Sequence, residues 1–305
     1  MQLVGNRDAN LPRKSGMTFS DASPAPCPAV TGNVSVVDDG FPAALHVLSS
    51  APERLWYSGR LPHSGERLFA VVGARAATRA GCDIASEIAR GLARAGAAIV
   101  SGGAFGIDAA AHEGALVEQA ATFAVLGCGT DVVYPDRHRR LFARISARGG
   151  LLSEYQPGTP PRPGQFPARN RLIAALGEAV IVVEAALRSG ALITARLARS
   201  LGRPLFAVSG SAGTDALLRA GHAMSATSAD DVLGTLAGER PPSPTVEPVA
   251  GRFGTIVDAI RLGANSPADL CKQVGMALPS LLAALAEAEL EGLVKRTAGN
   301  SYEVI

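Results

Sequence analysis

Two short stretches of the 305-residue chain carry side chains that could bind a ligand, and both flank one apolar run. The segment FPARNR places Phe166, Arg169, Asn170 and Arg171 close together in the sequence. An aromatic face beside guanidinium groups suits a single-stranded nucleic acid, because bases stack on rings and arginine pairs with phosphates. The alternative is a core phenylalanine beside a solvated arginine face, and this stretch alone does not decide between the two.

The second stretch, RSGALIT, follows the β-branched run at residues 180–183. Such a run predicts a parallel strand that is covered on both faces. Ser189 can cap the helix that follows, and Gly190 lets the backbone approach a ligand at the helix start. Unpaired N–H groups and the positive end of the helix dipole favour a phosphate at such a position.

The sequence gives weaker evidence for a catalytic or metal-binding site than for a nucleic-acid-binding site. Asp108 and His112 lie one helical turn apart and could poise an imidazole for proton transfer, but such a pair near a helix start is more often structural. The four cysteines show neither CxxC nor Cys/His spacing, which argues against a disulfide framework and a zinc site. The sequence therefore predicts a binding protein that is not an enzyme and uses no cofactor or metal.

Glycine-rich turns also raise the possibility of a nucleotide enzyme. GARAATRAG puts Arg75 where GxGxxG needs a glycine, and the P-loop pattern GxxxxGK[ST] is absent. The alternative function that we keep is a nucleotide-processing enzyme, a phosphoribohydrolase of the lysine-decarboxylase-like type. SGGAFGIDAAA lacks the PGGxGTxxE signature of that family, which makes this alternative the weaker one.

Residues 68–236 alternate strand and helix patterns. This alternation predicts an α/β fold, an extended Rossmann-like, doubly wound and mostly parallel sheet. Ligands of such folds bind beyond the carboxyl ends of the strands. The turns at that edge contain Gly73, Gly102 and Gly106, which we expect to expose backbone amides along one rim.

The chain divides into four predicted segments. These are a disordered tail (1–33), a Rossmann-like domain (34–237, with 34–67 as an N-terminal extension), a proline-rich linker (238–250) and a winged-helix domain (251–305). The last segment reads as three helices and a hairpin that turns at Gly299-Asn300. Its third helix carries Glu287, Glu289 and Glu291, which would repel phosphate and favour a protein contact over groove reading. A duplex-specific regulator acting through this segment is a third possible function.

Charge is informative through its distribution, since the net charge is only +2. Eight arginines and the single acid Glu154 fall between residues 137 and 171. Helical spacing puts Arg137, Arg140, Arg144 and Arg148 on one face, with Leu141 and Ile145 turned inward.

Two further expectations concern acidic side chains and the compartment. Glu154 and Glu184 each close a strand and are expected to hold an arginine, with Arg171 and Arg188 available. No run of 18 apolar residues occurs and the start of the chain lacks a secretory pattern, so the sequence predicts no membrane span and a cytoplasmic protein.

Several motifs together resemble the DNA-processing protein A family (DprA, also called Smf). They are VVGARAATRAG, VSGGAFGIDAAAHEGAL, FAVLGCGTDVVYPDRHRRL, the long stretch from LLSEYQPG to ITARLA, and GRPLFAVSGS. The resemblance implies an extended Rossmann fold that binds single-stranded DNA without an established catalytic activity. It also implies a homodimer that loads the RecA recombinase in natural transformation and displaces or shares strands with single-strand-binding protein.

The resemblance also implies a set of DNA-binding residues. By position they are Gly73, Arg75, Gly102, Gly106, Phe166, Arg169, Asn170, Arg171, Ser189, Gly190 and Thr194. The chain departs from the family pattern at Ala74 (usually Ser or Thr), at Pro163 (often basic), at His138 (usually Asn) and in a shortened loop after Val208.

Overall fold

The computed structural model describes residues 30–238, 253–261, 263–290, 293–297 and 301–304. Most of the predicted tail and linker, and the predicted turn at Gly299-Asn300, lie outside the described residues. The tail prediction overlaps the first strand, which already begins at Gly32.

A nine-stranded sheet forms the centre of residues 30–238. Its strands are β1 (Gly32–Ser35), β2 (Arg54–Gly59), β3 (Leu68–Val72), β4 (Ala98–Ser101), β5 (Thr122–Val125), β6 (Gly150–Ser153), β7 (Ala179–Val182), β8 (Leu205–Ala207) and β9 (Met224–Ser225). The spatial order is β1-β2-β6-β5-β4-β3-β7-β8-β9. The pairs β1·β2 and β2·β6 are antiparallel, and the other pairs are parallel. The predicted mostly parallel sheet is confirmed.

Helices cover both faces of this sheet. They are α1 (Arg79–Arg94), α2 (Ile107–Val117), α3 (Arg139–Arg148), α4 (Gln165–Leu176), α5 (Gly190–Ser200), α6 (Ala212–Arg219) and α7 (Ala229–Leu236). Successive residues of β3 point to opposite faces, because the side-chain period of a strand is two. Phe69 and Val71 pack with α1 and α2, whereas Ala70 and Val72 pack with α4 and α5. The sheet is therefore doubly wound.

The N-terminal extension joins the sheet as two antiparallel strands. Trp56 and Tyr57 of β2 pair with Ser153 and Leu152 of β6, which places these two aromatic residues on the main domain. A 3-10 helix (Ala43–Val47) begins after Pro42, where the sequence predicts a proline-initiated helix. Its Leu45 is fully buried in the main core.

The C-terminal segment contains α8 (Gly254–Arg261), α9 (Pro267–Val274), α10 (Leu278–Leu290) and the antiparallel pair β10 (Val294–Thr297) and β11 (Ser301–Val304). It has its own core, in which Leu270, Leu281 and Leu285 are fully buried. Ser266 caps α9 through a hydrogen bond from the Asp269 N–H, and Pro267 occupies the first helical turn. Three helices followed by a hairpin agree with the predicted winged helix. No helix in the described ranges combines the length and apolar character that a bilayer crossing requires.

His112 of α2 is buried in the core, where its side chain contacts β5, and it is not part of a catalytic site. Its Nδ1 is 2.7 Å from Thr122 Oγ1, and the Thr122 hydroxyl donates to the Ile99 carbonyl. Nδ1 must therefore carry the proton in this contact, and the buried Nε2 has no hydrogen-bond partner among the described residues. Burial lowers the pKa of His112 to about 3. Protonation would thus place an unpaired charge in the core.

This arrangement predicts an acid-sensitive stability. The pKa of His112 is about 3 in the folded chain, against 6.5 for an ordinary histidine, so only the unfolded chain binds the proton between these values. We expect the contribution of His112 to be complete above pH 6.5 and to fall by about 1.4 kcal/mol per pH unit below it. Denaturant titrations from pH 4 to 7 would show a shallower pH dependence for His112→Gln than for the native sequence. Equal slopes for the two proteins would contradict the assignment.

Candidate functional site

The main cleft lies where the order of the sheet reverses. From β3 the chain passes through α1 to β4 on one side, and β7 pairs with the other side of β3. Such a switch point leaves a crevice beyond the carboxyl ends of the strands. Here the crevice has a volume of about 400 Å³.

Most of the predicted site residues lie at this cleft. The lining includes Gly73, Arg75, Phe166, Arg169, Asn170, Ser189, Gly190 and Thr194. Gly102 lines an adjoining recess of about 50 Å³ together with Arg75 and Phe166. Gly106 and Arg171 line neither space.

Arg75 is exposed at the tip of the loop between β3 and α1, and this loop is held from both sides. The Ala74 N–H donates to the Glu184 carbonyl at 2.7 Å, and the Ala74 carbonyl accepts from the Ile107 N–H at 3.2 Å. The Glu184 carboxylate also accepts from the Thr78 hydroxyl at 2.7 Å. The loop position is thus fixed before any ligand binds, while the Arg75 side chain stays accessible.

Phe166 provides the aromatic face of the cleft. Its ring is half-buried, and the Arg75 guanidinium carbon lies 5.1 Å from the ring centroid. Tyr134, 44% exposed, lies beside it with the two ring centroids 5.4 Å apart. A cation and aromatic rings therefore meet at one mouth, an arrangement that can pair with a phosphate and stack a base.

Arg169 was expected to bind a phosphate, but its side chain is buried beneath the cleft. Its side chain is only 4% exposed, and Nη1 donates to the main-chain carbonyls of Gly102 and Val125. Burial is the largest cause that lowers the pKa of Arg169 to about 10; the charge of Asp108 acts against it and the charge of Arg75 adds to it. Arg169 therefore remains charged at neutral pH but supports the cleft from beneath.

Asp108 lies opposite Arg169 across Gly102. A Cβ on Gly102 would be 2.6 Å from Asp108 Oδ2 and 2.7 Å from Arg169 Nη2. Asp108 Oδ2 accepts from the N–H groups of Gly102 and Ala104 at 3.1 and 3.3 Å. Burial raises the pKa of Asp108, and the Arg169 charge acts in the opposite direction. The two side chains together hold the loop between β4 and α2.

The site glycines have different roles. A Cβ on Gly73 would be 2.5 Å from Ile107, and one on Gly106, where φ is +73°, would be 2.3 Å from the Ala74 carbonyl oxygen. Packing of the chain itself therefore requires glycine at Gly73, Gly102 and Gly106, so a ligand is not needed to explain why these positions are glycine. A Cβ on Gly190 would meet nothing within 4 Å, so the backbone is open to the cleft only there among these four.

The start of α5 closes the other side of the cleft. Ser189 Oγ caps the helix by accepting from the Ala191 N–H, as predicted. Asn170 Nδ2 donates to the Gly190 carbonyl at 3.2 Å, which ties α4 to this helix start. Thr194 lies one turn further along and is only 1% exposed.

Three expectations about charged groups have different outcomes. Arg171 forms a bidentate ion pair with Glu154, with 2.7 Å between the atoms of the shorter contact. The predicted ion pair of Glu154 with an arginine is therefore confirmed, and Arg171 does not line the cleft. The prediction that Glu184 holds an arginine is wrong. The Glu184 carboxylate accepts hydrogen bonds from Thr78 at the start of α1, where the helix dipole favours an acid. On α3, Leu141 and Ile145 are buried and Arg144 is exposed, as predicted.

The sequence analysis did not single out Phe105 and Tyr134, and it paired Asp108 with His112 rather than with the loop before α2. Phe105 and Tyr134 are 42% and 44% exposed and line the recess next to Phe166. Asp108 anchors the loop that carries Phe105. A large apolar residue between two glycines in a strand-end turn was the available signal for Phe105, because such turns lie on the surface.

The described residues offer little for nucleophilic or metal chemistry. Cys128 is 1% exposed, and burial raises the pKa of its thiol to about 11, so the thiol stays protonated at neutral pH. No group of three His, Cys, Asp or Glu side chains that could hold a metal ion occurs in the described part of the chain.

Comparisons with known proteins agree with this geometry. The profile of the family described as DNA recombination-mediator protein A matches residues 33–237, and that of the DprA winged helix domain matches residues 240–300. A relative from Mycobacterium tuberculosis that carries the name DprA is 42% identical over 261 residues, 80% of this chain and 67% of its own length.

Two solved structures share the fold. The X-ray structure of DNA processing protein A from Streptococcus pneumoniae gives a TM-score of 0.63 at 42% identity, covering 66% of this chain and 73% of that one. DNA processing protein A from Helicobacter pylori gives 0.60 at 33% identity, covering 68% and 97%. The description of the Helicobacter structure refers to its single-stranded DNA binding mode.

Proposed function

The chain belongs to the DNA recombination-mediator protein A family, and from this premise we propose that its main cleft binds single-stranded DNA. The observation that carries the proposal is the position of the Arg75 guanidinium 5.1 Å from the Phe166 ring at the mouth of the cleft. A single strand of DNA fits this mouth, because its bases are unpaired and each nucleotide contributes one backbone phosphate. The DNA binding described for the Helicobacter relative supports the same conclusion.

In this proposal each group of site residues has its own role. Arg75 pairs with a phosphate, and Phe166 stacks a base. The open backbone at Gly190 and the N-terminal end of α5 receive the next phosphate, where the helix dipole adds a favourable field. Gly73, Gly102, Gly106, Arg169, Asn170, Arg171 and Thr194 contribute by shaping and holding the loops.

Binding requires that the Phe166 ring be uncovered. In the unbound chain the Arg75 guanidinium lies over this ring. Arginine side chains have several rotatable bonds, and Arg75 is exposed, so its head can move from the ring to a phosphate. The base then takes the ring face that the guanidinium leaves.

The biological role in the proposal is to protect incoming DNA and to load the RecA recombinase onto it in natural transformation. The family's designation as a recombination mediator supports this role. The proposal includes a homodimer, access to strands held by single-strand-binding protein and a cytoplasmic location. It also includes the division into a Rossmann-like domain (34–237), a linker (238–250) and a winged-helix domain (251–305). Family membership does not favour the nucleotide-processing alternative.

The direct test compares the affinity of the full chain for one oligonucleotide as a single strand and as a duplex. Fluorescence anisotropy at several salt concentrations should show tighter binding of the single strand, weakening as salt rises because phosphate contacts release counterions. A second assay measures RecA filament formation on strands covered with single-strand-binding protein, which the chain should accelerate. A preference for the duplex would contradict the proposal, and so would single-strand binding that salt leaves unchanged.

A further inference from the structure

Phe105 is a large exposed apolar side chain whose position the fold controls closely. It lies in the loop between β4 and α2, and its side chain is 42% exposed. Gly103 and Gly106 on either side have φ values of +68° and +73°, which favour glycine. The loop is anchored by the N–H of Ala104 to Asp108 and by the N–H of Ile107 to the Ala74 carbonyl. A ring on a fixed loop loses little entropy when it binds a partner.

The ring of Phe105 is supported on one side and open on another. It makes a T-shaped contact with the His138 ring, with the centroids 4.7 Å apart and the planes at 75°. His138 Nδ1 in turn donates to the Gly103 carbonyl at 3.0 Å, which fixes the supporting ring. A T-shaped contact joins one edge to one face, so it leaves ring surface of Phe105 uncovered.

Phe105 also borders the proposed DNA path. It lines the 50 Å³ recess together with Tyr134, Phe166 and Arg75. Three aromatic side chains therefore share one small recess beside the main cleft with Arg75 and the buried Arg169. Consecutive bases of a single strand commonly stack on successive aromatic side chains.

We propose that Phe105, with Tyr134 beside it, forms a second base-stacking subsite for the nucleotide adjacent to the one on Phe166. This inference rests on the proposed function and extends it, because it assigns a base-binding role to Phe105, which is not among the DNA-binding residues that the family resemblance implies. The subsite accepts any base, since it offers ring faces and no hydrogen-bond code. It adds affinity for bases without adding a phosphate contact.

The test uses the full chain and a labelled oligothymidine strand. Phe105→Ala and Phe105→Leu should weaken binding about 5- to 150-fold, and Phe105→Tyr should stay within about twofold because it keeps the ring. The salt dependence of binding should be unchanged in all three variants, because no arginine is removed. Val117→Ala is the matched control: its side chain is 59% exposed at the far end of α2, and its affinity should equal that of the native sequence.

A strand of the same length that carries abasic sites separates stacking from other effects. The native sequence and Phe105→Ala should bind it equally, since only the bases differ. If the native chain binds oligothymidine and Phe105→Leu binds it equally well, the second subsite is wrong and the proposed function stands. If the native chain binds no single strand, both are overturned. Thermal unfolding of each variant checks that the loop change leaves the fold intact, and Phe105→Tyr tests the ring even if Phe105→Ala unfolds.

Discussion

Replacing Asp108 with alanine is expected to lower the free energy of unfolding by about 3–5 kcal/mol. The Arg169 guanidinium would remain buried at 4% exposure without the carboxylate opposite it, whose charge raises the pKa of Arg169 in the native chain. The N–H groups of Gly102 and Ala104 would also lose their acceptor. Chemical denaturation at neutral pH measures the loss directly.

An exposed acid provides the matched control for this change. Asp83 is 69% exposed on α1 and faces Arg79 at 3.8 Å, so Asp83→Ala should cost less than about 1 kcal/mol. The double variant Asp108→Ala/Arg169→Met should be more stable than the sum of the two single losses predicts, because no charge is left unpaired. An Asp108→Ala protein as stable as Asp83→Ala would contradict the supporting role of the pair.

Replacing Arg75 with alanine is expected to weaken binding of single-stranded DNA about 10- to 150-fold, the range for a lost hydrogen bond to a charged group. The slope of the logarithm of affinity against the logarithm of salt concentration should become shallower by about 0.7, because one phosphate contact to a single strand is lost. The free energy of unfolding should change little, because Arg75 is exposed and forms no ion pair among the described residues.

Arg94→Ala removes the same charge at the other end of α1, a helix of 16 residues and therefore about 24 Å long. Arg94 holds Glu118 at 2.8 Å, far from the cleft. We expect this variant to bind single-stranded DNA with nearly native affinity and an unchanged salt slope. Equal losses in Arg75→Ala and Arg94→Ala would indicate a general charge effect and would exclude a defined phosphate contact at Arg75.

The alternation of strands and helices, and with it a crevice beyond the carboxyl ends of the strands, could be predicted from the sequence, because it follows from local patterns. The apolar run at residues 180–183 nearly coincides with β7 (Ala179–Val182). The family motifs also led to the loops that line the cleft. The antiparallel addition of β1 and β2 was beyond the sequence pattern, because strand pairing depends on long-range contacts rather than on local periodicity.

The burial of Arg169 shows why the individual roles were harder to predict. Arginine is rarely buried, so the sequence reading placed its charge on the surface. The helical period gave a contrary signal, because Arg169 shares one face of α4 with Leu172, Ile173 and Leu176, all of them buried. The helical pattern could not show how the buried charge of Arg169 is compensated, because the Val125 carbonyl and Asp108 belong to other elements of the fold.

The glycines show a similar limit. A glycine in a strand-end turn can serve a ligand, a positive φ or a close approach of the chain, and composition does not separate these. Only the folded chain shows that Gly73 is required by Ile107 and Gly106 by Ala74, whereas Gly190 faces open space.

Photocrosslinking tests the central claim most directly, because it locates the DNA on the folded chain. A single strand carrying photoreactive thymine analogues is bound to the full chain and irradiated, and the crosslinked residues are identified by mass spectrometry. We expect crosslinks at Phe166 and at its neighbours Phe105 and Tyr134, and we expect these crosslinks to be lost in Arg75→Ala at moderate salt. Crosslinks confined to the winged-helix residues 253–304, with none at the cleft between α4 and α5, would contradict the central claim.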